Sequence, residues 1–234
     1  MLLTTTDELL DVFRDDVDDP LEGIDASRPD SDSLWPNRTI YRYMTEACDR
    51  LARDTNALFK VLTVPFVVDQ EIVPLPASVL HIYNARLQSN GHELRHRNVD
   101  DTYGYSINDY GIRGIGMDAL YSTRGQPRMY VRDADRKGMR IAPRPQRADS
   151  VIVQCSVTIA TPMLEGMLLP FTASPDQSLL LIYMKHLAYQ KRDADTLNLS
   201  EANAYGAQYA AQVVDREQEI RNQRRQVGLV RPEL

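Results

Sequence analysis

A chain of 234 residues is long enough to bury a core in one large domain or two small ones. Apolar residues make up 43% and charged residues 26%, a balance that excludes disorder as the default state. The formal charge of −6 is uneven: Met1–Pro36 holds eleven Asp or Glu against two Arg, a charge of −9, which leaves +3 on the remainder. An acidic head on a mildly basic body suits either a solvated terminus or contacts between subunits of opposite sign. It excludes a general nucleic-acid binder, whose cations would share one face.

The first helix is expected from Thr6, because Thr5 and Glu8 fit a capping box and Leu9, Leu10, Phe13 and Val17 form an apolar stripe. It fades in Asp15–Pro20, and Leu21–Ser33 reads as a loop. A second helix follows Leu34-Trp35-Pro36, with Ile40, Met44, Ala47, Cys48 and Leu51 at helical spacing, and ends at Asp54-Thr55-Asn56. The period then changes to two. Leu62, Val64, Phe66 and Val68 alternate, Asp69-Gln70 marks a turn, and Glu71–Pro76 reads as a return strand. Val79–Leu87 is another strand, Ser89-Asn90-Gly91 a hairpin turn, and His92–Arg97 the partner strand. Asp100–Gly125 has no period and reads as a long loop with a short helix near Met117–Tyr121. Strands are expected at Arg128–Arg132, Gly138–Ala142 and Val151–Thr161. Helical spacing returns with Ser174-Pro175-Asp176-Gln177, a cap, a first-turn proline and a third-position Gln, ahead of Leu180, Leu181, Met184, Leu187 and Ala188. The last helix starts near Ser200 with the stripe Ala202, Tyr205, Tyr209, Val213 and Ile220. From Asp215 it turns almost wholly charged, with no core to face.

This order predicts an α+β fold: a helical bundle formed by the N- and C-terminal helices with a central inserted antiparallel β domain. The expected divisions are 1–57 (with a loop at 19–36) and 166–225 for the bundle, 58–165 for the β block, and 226–234 for an extended tail.

Candidate chemistry is sparse. His92-Glu93-Leu94-Arg95-His96 matches the H-E-x-x-H zinc-hydrolase pattern. That chemistry needs a helix, where residues four apart lie about 6 Å from each other. On a strand they are about 13 Å apart and do not share an ion. The preceding Asn90-Gly91 favours a strand, so a zinc-dependent hydrolase is the alternative reading, not the first. Gly111–Gly116 does not fit a phosphate cradle, and no metal, cofactor or catalytic residue is assigned. Cys48 and Cys155, far apart, read as buried thiols in a reducing compartment. The basic run Arg136–Arg140 with Arg144 and Arg147 reads as a hairpin rim or a subunit contact. No apolar run nears the ~18–20 residues of a membrane span. The N-terminus lacks the features of a signal peptide, so synthesis in a cytoplasm is expected.

Several stretches carry a resemblance. Leu34-Trp35-Pro36-Asn37 leading into Ile40–Ala47 resembles the helix entry W-[ST]-D-x-x-[IL]-x-x-[YW]-[LM]-N-[ED]-A of the head-to-tail adaptor (connector or head-completion) proteins of tailed bacteriophages. Gln70–Pro76 followed by Val79–Ile82 is similar to that family's G-Q-x-x-Y-x-L-P turn and strand. Gly125–Tyr130 and Ile141–Pro145 resemble its G-x-P-x-x-Y and L-x-P-x-P strands, and His186–Asp193 its C-terminal helix pair. Pro36, Asp69 and the Asp100–Gly125 loop depart from the pattern. The resemblance implies a non-catalytic virion protein of the neck. Twelve copies would form a ring below the portal, joining head to tail or nozzle protein. DNA would pass through the central channel without sequence-specific binding, and no membrane would be involved. It further implies a portal contact from the C-terminal segment, with Arg221, Arg224, Arg225, Val227, Leu229, Val230, Arg231 and Leu234 as interface candidates. Another virion tail or neck subunit is the remaining alternative.

Overall fold

A computed structural model describes residues 2–18, 34–97, 123–132, 138–191 and 197–227, with side chains as far as Arg224. The expected short helix near Met117–Tyr121 lies outside them. The described residues form helices α1 (Thr6–Asp16), α2 (Asn37–Thr55), α3 (Ser174–Tyr189) and α4 (Leu199–Val227). Between α2 and α3 lie strands β1 (Phe59–Phe66), β2 (Ile72–Pro74), β3 (Val79–Leu87), β4 (Arg95–Arg97), β5 (Arg124–Gly125), β6 (Met129–Arg132), β7 (Gly138–Ala142), β8 (Arg144–Pro145) and β9 (Asp149–Val157). The fold is α+β, and the chain divides into two units: Met1–Leu58 with Thr158–Leu234, and Phe59–Val157.

In the helical unit, α1 starts as its sequence requires. The Thr5 hydroxyl accepts from the Glu8 N–H at 3.3 Å, and the Glu8 carboxylate accepts from the backbone N–H groups of Thr4 and Thr5. These donors, Thr4 first, hold the Glu8 carboxyl below its ordinary range. α2 follows Pro36 without a side-chain cap. Its start is held instead by Arg14 of α1, which is buried and donates to the Trp35 carbonyl at 3.0 Å and to Asn37 Oδ1 at 2.6 Å. α2 ends at Asn56, whose left-handed backbone (φ 53°) stops the helix.

The core of this unit joins chain ends that are far apart in sequence. Leu9, Phe13, Ile40, Met44 and Leu51 pack with Leu180 and Met184 of α3. Trp35 closes the cluster, edge-on to Phe13 at 6.4 Å and to Tyr189 at 6.0 Å, and donates its indole N–H to the Ala188 carbonyl at 3.3 Å. Gln177 does not complete a capping box. It lies buried and takes the Leu3 N–H (3.0 Å) while donating to the Leu3 and Phe171 carbonyls. The N-cap position of α3 is Ala173, with no side-chain cap bond. A side chain that satisfies two strands of irregular backbone in the interior does more there than at a solvated helix end.

The β unit is mixed, not purely antiparallel. Its sheets are ordered β1-β9-β3, β2-β7-β6-β4 and β5-β8, and the pairs β4–β6 and β5–β8 are parallel. Phe66, Val73, Val79, Leu87, Tyr130, Ile141, Val151 and Val153, drawn from both larger sheets, share one buried cluster. Two expected hairpins are revised. β2 does not return along β1; it pairs with β7, and β1 pairs with β9. At the intervening turn, Asp69 adopts φ 61° and donates its N–H to the Pro145 carbonyl. Gln70 accepts from the Val67 N–H and donates to the Ile72 carbonyl. Gln70 satisfies part of the turn backbone locally and Pro145 the rest, and the two strands enter different sheets. At Asn90-Gly91 the chain does reverse: the Leu87 N–H reaches the His92 carbonyl and the Leu94 N–H the Ala85 carbonyl. Beyond Leu94 it leaves β3 and β4 pairs with β6 in parallel. Register shifts in β3, between Val79 and His81 and between Ile82 and Asn84, accompany that separation.

Both cysteines are free and buried, and burial raises their thiol pKa, for Cys48 to about 12. Neither should react with a thiol reagent at neutral pH until the native protein is unfolded; labelling followed by mass spectrometry measures this. Trp35→Ala should destabilise the helical unit by about 3–5 kcal/mol. Because Trp35 is the chain's one tryptophan, its emission reports unfolding of that unit alone in the native sequence.

Candidate assembly interface

Of the interface candidates named above, Arg221, Arg224, Arg225 and Val227 belong to α4, a helix of 29 residues that spans about 44 Å at 1.5 Å per residue. Its first half is fixed to α3. His186 Nδ1 lies 2.7 Å from the Ala202 carbonyl. Gly206 sits under the same ring, where a Cβ would approach Nδ1 to 2.9 Å. Tyr205 stacks on Tyr189 at 5.9 Å. Tyr209 is buried and donates its hydroxyl to Asp54 at 3.1 Å. Burial, and then the Asp54 charge, push the Tyr209 hydroxyl pKa far up, so it stays a donor.

The charged second half was expected to face no core, but the structure docks it. Arg216 is 12% exposed and forms a two-pronged pair with Asp176, 7% exposed, at 2.7 and 3.0 Å. It also meets Glu219 at 2.9 Å. The hydrogen bond that Arg216 donates to Asp176 is the leading reason its guanidinium pKa is raised. Ile220 is buried one turn further on. Arg221 pairs with Glu217 at 2.6 Å on the surface, and Arg224 donates to the Asn56 carbonyl at 2.5 Å, at the left-handed end of α2. Periodicity alone gave no sign of Asp176 and Arg216 as partners, because they lie 40 residues apart on different helices.

Of the sequence candidates, Arg221 and Arg224 therefore spend their charge within the unit. Arg225 and Val227 continue the α4 backbone with side chains outside the described residues, and Leu229, Val230, Arg231 and Leu234 lie beyond them. The basic run divides too. Arg140 and Arg144 flank Glu71 at 3.6 and 3.4 Å, Arg147 is exposed, and Arg136 and Lys137 lie outside the described residues.

The H-E-x-x-H match sits on no helix. His92 is exposed at the end of the turn, Leu94 is buried, and His96 lies on β4 with its ring 5.2 Å from that of Tyr130. Residues four apart share a metal readily on a helical turn, and His92 and His96 lie on none. Among the described residues no group of three or more His, Cys, Asp or Glu is placed to hold a metal, and no helix is long and apolar enough to cross a membrane. The helical unit has an open groove of about 940 Å³, lined in part by Arg38, Tyr41, Arg42, Ile159, Met163 and Leu164.

The family described as SU10 adaptor protein matches residues 4–232, nearly the whole chain. The chain belongs to this family of phage head-to-tail adaptors. No curated protein matches it. The adaptor is accordingly a structural component of the virion, serving the neck between head and tail. Within the helical unit, the buried side chains of Asp176, Gln177 and Arg14 tie the protein's own elements together through Arg216, Leu3 and Asn37.

Arg216→Ala leaves Asp176 buried without its cation and should cost about 3–5 kcal/mol in denaturant unfolding. Replacing both by apolar residues, as in D176L/R216M, should recover most of that loss.

Proposed function

We propose that the adaptor works as a ring, of twelve copies, docked on the portal at one end and on the tail or nozzle protein at the other, with DNA passing through the central channel. In this reading it is made in the host cytoplasm, contributes no catalysis and uses no cofactor. The observation that carries the reading is the family match over residues 4–232, on a chain whose two terminal helix pairs close into one core around an inserted β unit.

The portal contact is assigned to the C-terminal end. What supports this is the division of labour along α4: up to Arg224 each large side chain of its buried stripe and each guanidinium just described is engaged within the protein. The stretch 225–234 then offers Arg225, Val227, Leu229, Val230, Arg231 and Leu234, a mixture of cations and apolar groups suited to a partly apolar, acidic groove on a partner. Acidic side chains facing the channel would repel DNA phosphates and let the duplex slide.

A chain truncated after Val227 should keep the full chain's melting temperature within a few degrees and lose binding to portal-bearing heads, read by co-sedimentation. Undiminished binding would remove the C-terminal assignment. Electron microscopy of the phage neck measures the copy number, and density for this chain outside the portal–tail junction would remove the ring reading itself.

A further inference from the structure

The β unit carries a strip of arginines that its own contacts leave unused. Arg86 on β3 forms an isolated antiparallel bridge with Glu93. Arg95 and Arg97 follow Glu93 at two-residue steps, so the three share one side of the strand. Leu94 is buried and His96 turns to the Tyr130 ring, on the other side. β4 is the outermost strand of its sheet. Arg86, Arg95 and Arg97 are exposed, and none forms an ion pair among the described residues. Three arginines around one glutamate leave the patch with a net positive charge.

The opposite cluster lies in α1. Asp11 and Asp15 are one turn apart on the exposed side of the helix, and Asp18 follows just past its end. All three are exposed and none forms an ion pair among the described residues, whereas their neighbour Asp16 binds Lys185 at 2.8 Å. They crowd the C-terminal half of the helix, where the backbone dipole favours cations, so both their spacing and their place are unfavourable within one copy.

Two exposed clusters of opposite net charge, neither ion-paired to another element among the described residues, suit a head-to-tail contact between identical chains. Such a contact uses two different, complementary patches and repeats around a closed ring. We propose that the Arg86–Arg95–Arg97 strip of one copy docks on the Asp11–Asp15–Asp18 edge of the next. This rests on the ring reading given above.

Charge reversal on the full-length chain tests it, with R86E/R95E/R97E as one variant and D11K/D15K/D18K as the other. Native folding of each is first checked by circular dichroism and Trp35 emission, and R86Q/R95Q/R97Q serves as a milder form if the reversal unfolds. The copies bound to portal-bearing heads are then counted by electron microscopy. Each variant alone should lose assembly about tenfold or more at low salt. An equimolar mixture should restore it, since each reversed patch then meets a reversed partner on its neighbour. Three results would overturn the proposal. Either variant may assemble like the native chain. The two reversals combined in one chain may restore assembly while the mixture does not, which places the contact within a single copy. Or the arginine variant may assemble normally yet bind duplex DNA more weakly, which assigns the strip to DNA. A native chain that forms no ring at all removes the ring reading along with it and is told apart by that control.

Discussion

The structure depends on closing a long detour. The helices that share a core come from the first 58 and the last 77 residues, and about a hundred residues separate them. Bringing the ends of such a segment together costs about 4 kcal/mol in chain entropy if the segment is flexible. The insert meets that cost internally. Its first and last strands, β1 and β9, pair along their length from Phe59↔Ser156 to Phe66↔Asp149. Once the β unit is folded, its two ends emerge side by side, and the helical core behaves as though joined by a short connection. α1 with α2, and α3 with α4, cover each other only in part, so this closure is the condition for burying Leu9, Phe13, Ile40, Met44, Leu180 and Met184 together.

On that core, a few polar side chains fix details that apolar packing leaves open. Gln177 ties the extended N-terminal segment to the start of α3, and Thr6 and Leu169 continue the tie through backbone bonds to Met167 and Thr4. Arg14 fixes the chain as it enters α2 by donating to the Trp35 carbonyl and to Asn37 Oδ1. Arg216 and Asp176 set the rotation of α4 against α3, and Arg224 holds its far half to the end of α2. Each is a charge or amide brought to a backbone or carboxylate that would otherwise be short of partners, and for that reason each is specific: a wrong register would leave a desolvated group unmade. A ring subunit has reason to be built this way, because its neighbours must meet a defined surface in every copy.

The H-E-x-x-H match shows how a motif and its geometry can separate. The five residues are all present, but the chemistry they denote resides in the helical four-residue step, and the Asn-Gly turn before them commits the chain to an extended path. Leu94 in the core and His96 against Tyr130 give the segment a packing role within the β unit.

The sequence by itself determined the helices, because capping at Thr5, proline at the start of α3 and a repeat of 3.6 act over one or two turns. α1, α2 and α3 begin within a residue or so of where those signals lie. It also determined that the ends are helical and the middle extended, and the order of its motifs pointed to the phage adaptors. Only the tertiary structure decided which strands pair. The alternating run Leu62–Phe66 is equally suited to β2 and to β9; in the fold it pairs with β9, and the Asp69 N–H of the turn reaches the distant Pro145 carbonyl. In the same way, nothing local marks Gln177 for Leu3, or Arg216 for Asp176, across 174 and 40 residues. Periodicity records which face of an element is apolar. The partner on that face is settled by the folded whole, where a buried polar group costs least once its one matching group has arrived.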